Sequence, residues 1–317
     1  MRAFGFGPSL ALRQGGRGAA FEFAGGSLPA GATLTRASAG SCFDASGALV
    51  SLSADVPRFD YDPDSHRLRG LLIEPARSNL VLRSRALDTA PWTTSGSGSV
   101  VAAASGFTLT DSDTANSYTI SQNASVTTGD AVSVSLRVAK DGVGKAVRAL
   151  LVRLANPKLL LLLDTATGEL ALGTGSLGVP TAMSAESCGG FWLLRASYVA
   201  TGSTASMILS AVYGQGAVLA DIAANGSLTG SVTLADPQIE IGVAPTSTIT
   251  SAASAGSRAA DVLTLAWGSK GVSDGTRTIR YGFDDGSQQD VATAVAGGTA
   301  VVPVSLSRSR LLRAQAV

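Results

Sequence analysis

The chain has 317 residues and a formal net charge of +1 at pH 7, with 45% hydrophobic and 15% charged residues. That length allows about two domains with a sizeable core, and the apolar content excludes a disordered chain. The near-zero charge speaks against a nucleic-acid or membrane-surface binder, and a single histidine excludes a multi-His metal site.

Residues 1–30 are Gly-rich, with Phe4, Phe6, Phe21 and Phe23 paired two apart as in short extended pieces with one apolar face. Short strand-like runs alternate with turns from Ala32 to Leu52. Arg58 to Asp62 then runs into a Pro63-Asp64-Ser65 turn, and Leu71 to Ile73 ends at Pro75. From Ser99 onward every local signal is β. Predicted strands are Ser99–Ala104, Phe107–Thr110, Tyr118–Ser121 and Ala131–Ala139. In the last, Val132, Val134, Leu136 and Val138 alternate with Ser133, Ser135 and Arg137. Leu159–Leu163 and Glu169–Leu172 flank a turn at Asp164 to Gly168, which predicts a hairpin. Phe191–Tyr198, Ala205–Tyr213 and Ser231–Ile241 follow. Strands at this spacing suggest a β-sandwich or jelly roll.

A Ser/Thr/Ala linker runs from Gly242 to Gly256. Predicted strands Val262–Trp267, Thr278–Phe283, Gln288–Val295 and Ala300–Leu306 then form a smaller β unit, with a turn at Asp284-Asp285-Gly286. Charge divides the chain the same way: +3 over residues 1–87, −4 over 88–245 and +2 over 246–317. The expected organisation is therefore an N-terminal segment (1–87), an all-β middle domain (88–245) and a small C-terminal β-domain (246–317).

Chemistry-bearing motifs are sparse. Cys42 and Cys188 sit in no CxxC and read as buried free thiols. Gly173 to Gly178 spells GxGxxG, but it follows a hairpin and no helix pattern follows it, so it reads as a loop. Asp60, Asp62 and Asp64 resemble the opening of a calcium loop. Ser65 and Leu71 occupy positions where Gly and Glu are needed, so a strand entering a turn is expected there. Asp111 and Asp113 form a weak oxygen-ligand pair, the basis for considering a structural calcium; no other cofactor is expected. His66 reads as an exposed turn residue. Trp and Tyr rings can stack on sugars; the candidates are Tyr213 with its neighbour Gln215, Tyr118 and Trp92. Trp192 lies in an apolar run and reads as core. No apolar stretch marks a signal peptide or membrane helix, so cytoplasmic synthesis without export is expected. Glycoside hydrolysis needs two carboxylates across a sugar site, and no pair is marked by the sequence.

Three stretches carry a resemblance. They are Ser27 to Ser38 continuing through Phe43-Asp44 to Val56-Pro57-Arg58-Phe59-Asp60-Tyr61-Asp62-Pro63; Arg69-Gly70-Leu71-Leu72-Ile73-Glu74-Pro75-Ala76-Arg77-Ser78-Asn79-Leu80; and Gln238-Ile239-Glu240, Pro245-Thr246 and Arg258-Ala259-Ala260-Asp261. Together they resemble the head-spike fibre proteins of tailed bacteriophages and similar modules of gene transfer agents. Ala90-Pro91-Trp92-Thr93 and Gly190-Phe191-Trp192 stand where such proteins carry related stretches, although Arg195 lies late for the second.

The resemblance implies a carbohydrate-binding-like jelly roll displayed on a virion surface after assembly in the host cytoplasm. It implies an N-terminal segment docked on the capsid or another spike subunit, and host surface polysaccharide as partner. A homo-oligomer, taken as a trimer, is implied too; neither nucleic acid nor membrane is an expected partner, and catalysis is not implied. The motifs themselves read as framework, fixing the chain by buried ion pairs and turns. The alternatives are a purely structural decoration or adaptor protein and a polysaccharide-depolymerising spike.

Overall fold

The alternation in Ala131–Ala139 sends Val132, Val134, Leu136 and Val138 to one side of a sheet, and all four are buried. In the computed structural model, which describes residues 19–140, 149–212 and 229–317, this strand lies inside a six-stranded antiparallel sheet. Its order is Ala182–Cys188, Phe191–Val199, Ala131–Ala139, Gly230–Ile241, Gly106–Asp111 and Gly98–Ala103; we call it the front sheet. A second six-stranded sheet, the back sheet, runs Leu170–Leu172, Leu159–Asp164, Ala149–Leu154, Thr204–Val212, Thr119–Ser125 and Thr93–Ser95.

The apolar faces of the two sheets meet in one core. Leu194, Ala196 and Tyr198 come from the front; Leu150, Val152, Leu161, Leu163, Met207 and Leu209 come from the back. Burying each such Val or Leu contributes about 1.5–3 kcal/mol. The result is the expected all-β sandwich of jelly-roll type. Expected hairpins are in place: Gly168 N donates to Asp164 O at 2.8 Å, and Gly286 N to Phe283 O at 3.1 Å.

The outer segments do not form separate units. One sheet contains Gln288–Val295, Gly275–Phe283, Arg310–Ala316, Leu68–Leu72 and Phe59–Tyr61 in that order, with Ala20–Glu22 also paired to Arg310–Ala316. Strands from residues 19–87 and 246–317 are thus interleaved in one base. Its core holds Phe21, Phe23, Leu71, Leu265, Trp267 and Tyr281. Phe21 and Trp267 meet edge to face at 4.9 Å between ring centroids. The Phe21 and Phe23 pair is extended with both rings buried; Phe4 and Phe6 lie outside the described residues.

The stretch from Gly242 to Gly256, which reads as a linker, is held closely instead. Ile249 is buried, and its N–H donates to Gln238 Oε1 at 2.6 Å. Asn79 ties base to sandwich with a fully used amide. Its Nδ2 donates to Pro237 O (3.1 Å) and Ile249 O (2.8 Å), and its Oδ1 accepts from Val81 N (3.0 Å) and Ile239 N (3.2 Å).

Candidate ligand cleft

The alternation that builds the sandwich core also builds its outer surface. In Phe191–Val199, Leu194, Ala196 and Tyr198 point inward, so Leu193, Arg195 and Ser197 point out. Ser133 and Ser135 share that outer face with Gln238 and Glu240, and all four are buried because the base covers part of it. Where the cover ends, a cleft of about 610 Å³ opens between front sheet and base. This size suits a small-molecule or oligosaccharide segment. The front-sheet wall carries Met183, Glu186, Leu193 and Arg195; the base wall carries Asp60, Arg69, Asp284, Arg308 and Arg310.

The end of the cleft rests on a buried ion cluster made from the framework motifs. Arg58, 0% exposed, reaches Glu74 Oε2 at 2.8 Å and Asp261 Oδ2 at 2.5 Å. Arg36 meets Asp261 at 3.1 Å, and Arg258 meets Glu74 at 3.2 Å. Ser247 N–H and Oγ–H both donate to Glu74 at 2.7 Å. The expectation that Arg69 to Glu74 and Arg258 to Asp261 act as framework through buried or semi-buried ion pairs holds for Glu74, Arg258 and Asp261, and Arg69, half-buried in a pair with Asp284, also lines the cleft.

Burial pushes the Glu74 carboxyl up, but Arg258, Arg58 and the Ser247 hydrogen bonds outweigh it and hold it at about 2 instead of 4.5. Glu240 lies close by with no arginine in hydrogen-bond contact among the described residues. It accepts from Thr246 N (2.7 Å) and Oγ1 (2.5 Å), and burial raises its pKa.

The other cleft carboxylates also hold arginines. Asp60 accepts from Arg310 Nε at 2.7 Å, and Glu186 from Arg195 Nη1 at 3.0 Å. Asp284 accepts from Arg308 Nε at 3.0 Å and Arg69 Nε at 3.2 Å. Burial lowers the Arg195 pKa; Glu186 opposes this, while Arg310 and Arg69 add to it, and the net shift is downward.

The sequence candidates lie elsewhere. Tyr118 and Trp92 are buried members of the sandwich core at 5% and 7% exposure, so as sugar-stacking residues they are corrected to core roles. Residue type alone marks an aromatic ring without saying which side of the sheet it faces. Tyr213 and Gln215 lie outside the described residues.

Asp111 and Asp113 spend their oxygens on backbone amides. Asp111 accepts from Asp113 N and Tyr118 N at 2.9 Å each, and Asp113 from Ser97, Ala115 and Asn116 N. No group of three potential metal ligands occurs among the described residues. Asp60, Asp62 and Asp64 form the expected strand end and turn: Asp62 accepts from Ser65 N at 2.7 Å, and His66 is exposed. Trp192 is half-buried; its indole N–H donates to Thr165 O at 2.8 Å, and Lys140 Nζ stands 4.6 Å over its ring. Gly173 to Gly178 is a loop.

Sequence reasoning missed Arg195, Arg308 and Arg310 as cleft residues. The available signal was Arg195 on the alternate, outward face of an apolar strand.

No protein-family model matches the chain, and no curated protein matches it. Solved structures that align with it include two of interest. One is the enzymatically active domain of tailspike protein 4 of bacteriophage CBA120, with TM-score 0.28 and 12% identity over 51% of this chain and 21% of that one. The other holds the CBM22-1 and GH10 modules of the Clostridium thermocellum N-terminal endo-1,4-β-D-xylanase 10B with xylohexaose, with TM-score 0.26 and 13% identity over 57% of this chain and 30% of that one. Both scores are too low to carry a functional argument, and in each case the chain spans under a third of its neighbour's length.

Proposed function

We propose that the chain is a non-enzymatic subunit of a virion surface spike or fibre that attaches the particle to host surface polysaccharide. The observation that carries this reading is the cleft between front sheet and base, of saccharide size and walled by both apolar and hydrogen-bonding side chains. The resemblance of the framework motifs to head-spike fibre proteins supports the virion setting.

Glycosidic cleavage needs one carboxylic acid that holds a proton beside a second carboxylate. Asp60, Glu74, Glu186 and Asp284 are all engaged by arginines, which supports binding without turnover. In this reading the base and the residues before it dock on the capsid or a second spike subunit. Several copies, taken as a trimer, turn weak sites into a strong attachment, since linked sites can gain ~100–10,000-fold.

The test is retention of the purified full chain on bacterial cells with and without surface polysaccharide, with reducing ends assayed in parallel. Retention only on polysaccharide-bearing cells, with no new reducing ends, is expected. Equal retention on both cell types points to a decoration or adaptor protein, and release of reducing ends to a depolymerising spike.

A further inference from the structure

The proposed polysaccharide site has a chemical bias, and the inference here rests on that reading. Among the residues lining the cleft are five arginines, Arg69, Arg77, Arg195, Arg308 and Arg310, against four carboxylates. One carboxylate, Glu74, is already neutralised from the inner side by Arg58 and Arg258. Arg308 is in turn shared with Asp285 at 3.1 Å, and the surplus that remains is one cation, Arg77.

Among the described residues Arg77 forms no ion pair. Its Nη1 donates to its neighbour's carbonyl, Ala76 O, at 3.0 Å, and its Nε is buried with no partner. Its guanidinium packs over Gly242, where a Cβ would stand 2.6 Å from Nε and Nη2, so the glycine leaves room for it. Arg195 is half-buried, and among the described residues its guanidinium makes one hydrogen bond, to Glu186. A guanidinium offers five N–H donors in a fork that matches a carboxylate. Both arginines therefore keep donors to offer. Desolvation inside a cleft makes such unspent donors costly until an anion arrives.

We infer that the cleft selects an acidic polysaccharide, with the carboxylates of its uronic-acid units received by cleft arginines that keep free donors, Arg195 and Arg77 among them. Met183 and Leu193 supply apolar surface for the ring faces of the sugar.

The probe is polygalacturonate, compared with its carboxyl-reduced, neutral counterpart, titrated by calorimetry into the full chain at low and moderate salt. Expected is binding of the acidic polymer that weakens with salt, and binding of the reduced polymer at least about tenfold weaker. Arg195→Gln and Arg77→Gln should each lower affinity for the acidic polymer several-fold or more. Arg280→Gln, in an exposed pair with Asp290 outside the cleft, should leave it unchanged. Thermal unfolding of each variant accompanies the titrations; if Arg195→Gln fails to fold, Arg77→Gln alone decides.

Equal binding of both polymers, or unchanged affinity in the arginine variants, overturns the anionic selection while leaving polysaccharide binding intact. Wild-type protein that ignores polygalacturonate but retains neutral polysaccharide overturns it too. Failure to bind any polysaccharide-bearing cell is the separate outcome that removes the underlying reading.

Discussion

At the scale of single residues, Glu74 is the point on which the base is assembled. Its carboxylate is shared by Arg58 and Arg258, both buried, and by the half-buried Ser247. Removing one member of a buried ionic group leaves the others uncompensated, at about 3–5 kcal/mol. Glu74→Gln should therefore lower the urea midpoint sharply, whereas breaking the exposed Arg280–Asp290 pair should leave the midpoint essentially where it is.

The same carboxylate fixes a pH dependence. Its folded pKa, about 2, lies below the ordinary 4.5, so its contribution is present above about pH 4.5 and is lost as pH falls toward 2. That loss is on the order of 3 kcal/mol. Glu240 is shifted the other way by burial, so it favours the folded state below its ordinary value and disfavours it as pH rises through its folded value. The two glutamates act on opposite sides of the ordinary value: Glu74 withdraws stability below about pH 4.5 and Glu240 above it. In Glu240→Gln the decline in stability just above pH 4.5 should disappear, while the acid limb below it keeps its slope, read by urea unfolding across pH 3–7 with tryptophan fluorescence. A wild-type decline above pH 4.5 in the variant would contradict this assignment.

Among elements, close approach decides which residues are allowed. Gly70 takes φ +131°, and a Cβ there would sit 2.7 Å from Leu311 O, across the junction of Leu68–Leu72 with Arg310–Ala316. Gly70→Ala should cost about 2–3 kcal/mol in urea unfolding and speed amide exchange in Arg310–Ala316. Wild-type exchange there would show that the strand contact tolerates the side chain.

The strands most visible in sequence were those with an apolar face and a polar face, such as Ala131–Ala139 and Gln288–Val295, whose observed bounds match the expected ones. Those that escaped notice lack that contrast. Ala182–Cys188 is an edge strand of small and polar residues, largely exposed, so nothing in its sequence alternates. Arg310–Ala316 carries adjacent Leu311 and Leu312, and its strand form is imposed by its neighbours in the sheet.

For the whole molecule, the base is a joint product of both ends of the described chain. A chain lacking residues 1–87 would lose Ala20–Glu22, Phe59–Tyr61 and Leu68–Leu72 from the base sheet, along with Glu74. Such a truncation should lose protection across Gly256 to Ala316 in hydrogen exchange; a protected C-terminal region would contradict the shared base.

The interleaving was hidden because pairings between segments more than 200 residues apart leave no local pattern. The framework residues were marked only through the resemblance their motifs carry. The cleft carried no such mark, since its walls come from strands that are adjacent only after folding. Its arginines differ from other surface arginines only in what surrounds them.

The central claim is that polysaccharide lies between the front sheet and the base. The most direct measurement is hydrogen–deuterium exchange of the full chain with and without polygalacturonate. The account predicts slowed exchange in Ala182–Cys188, in Phe191–Val199 and across residues 304–310, which meet at the cleft. Protection confined to the back sheet, or to the stretch around Tyr213 and Gln215, would contradict it.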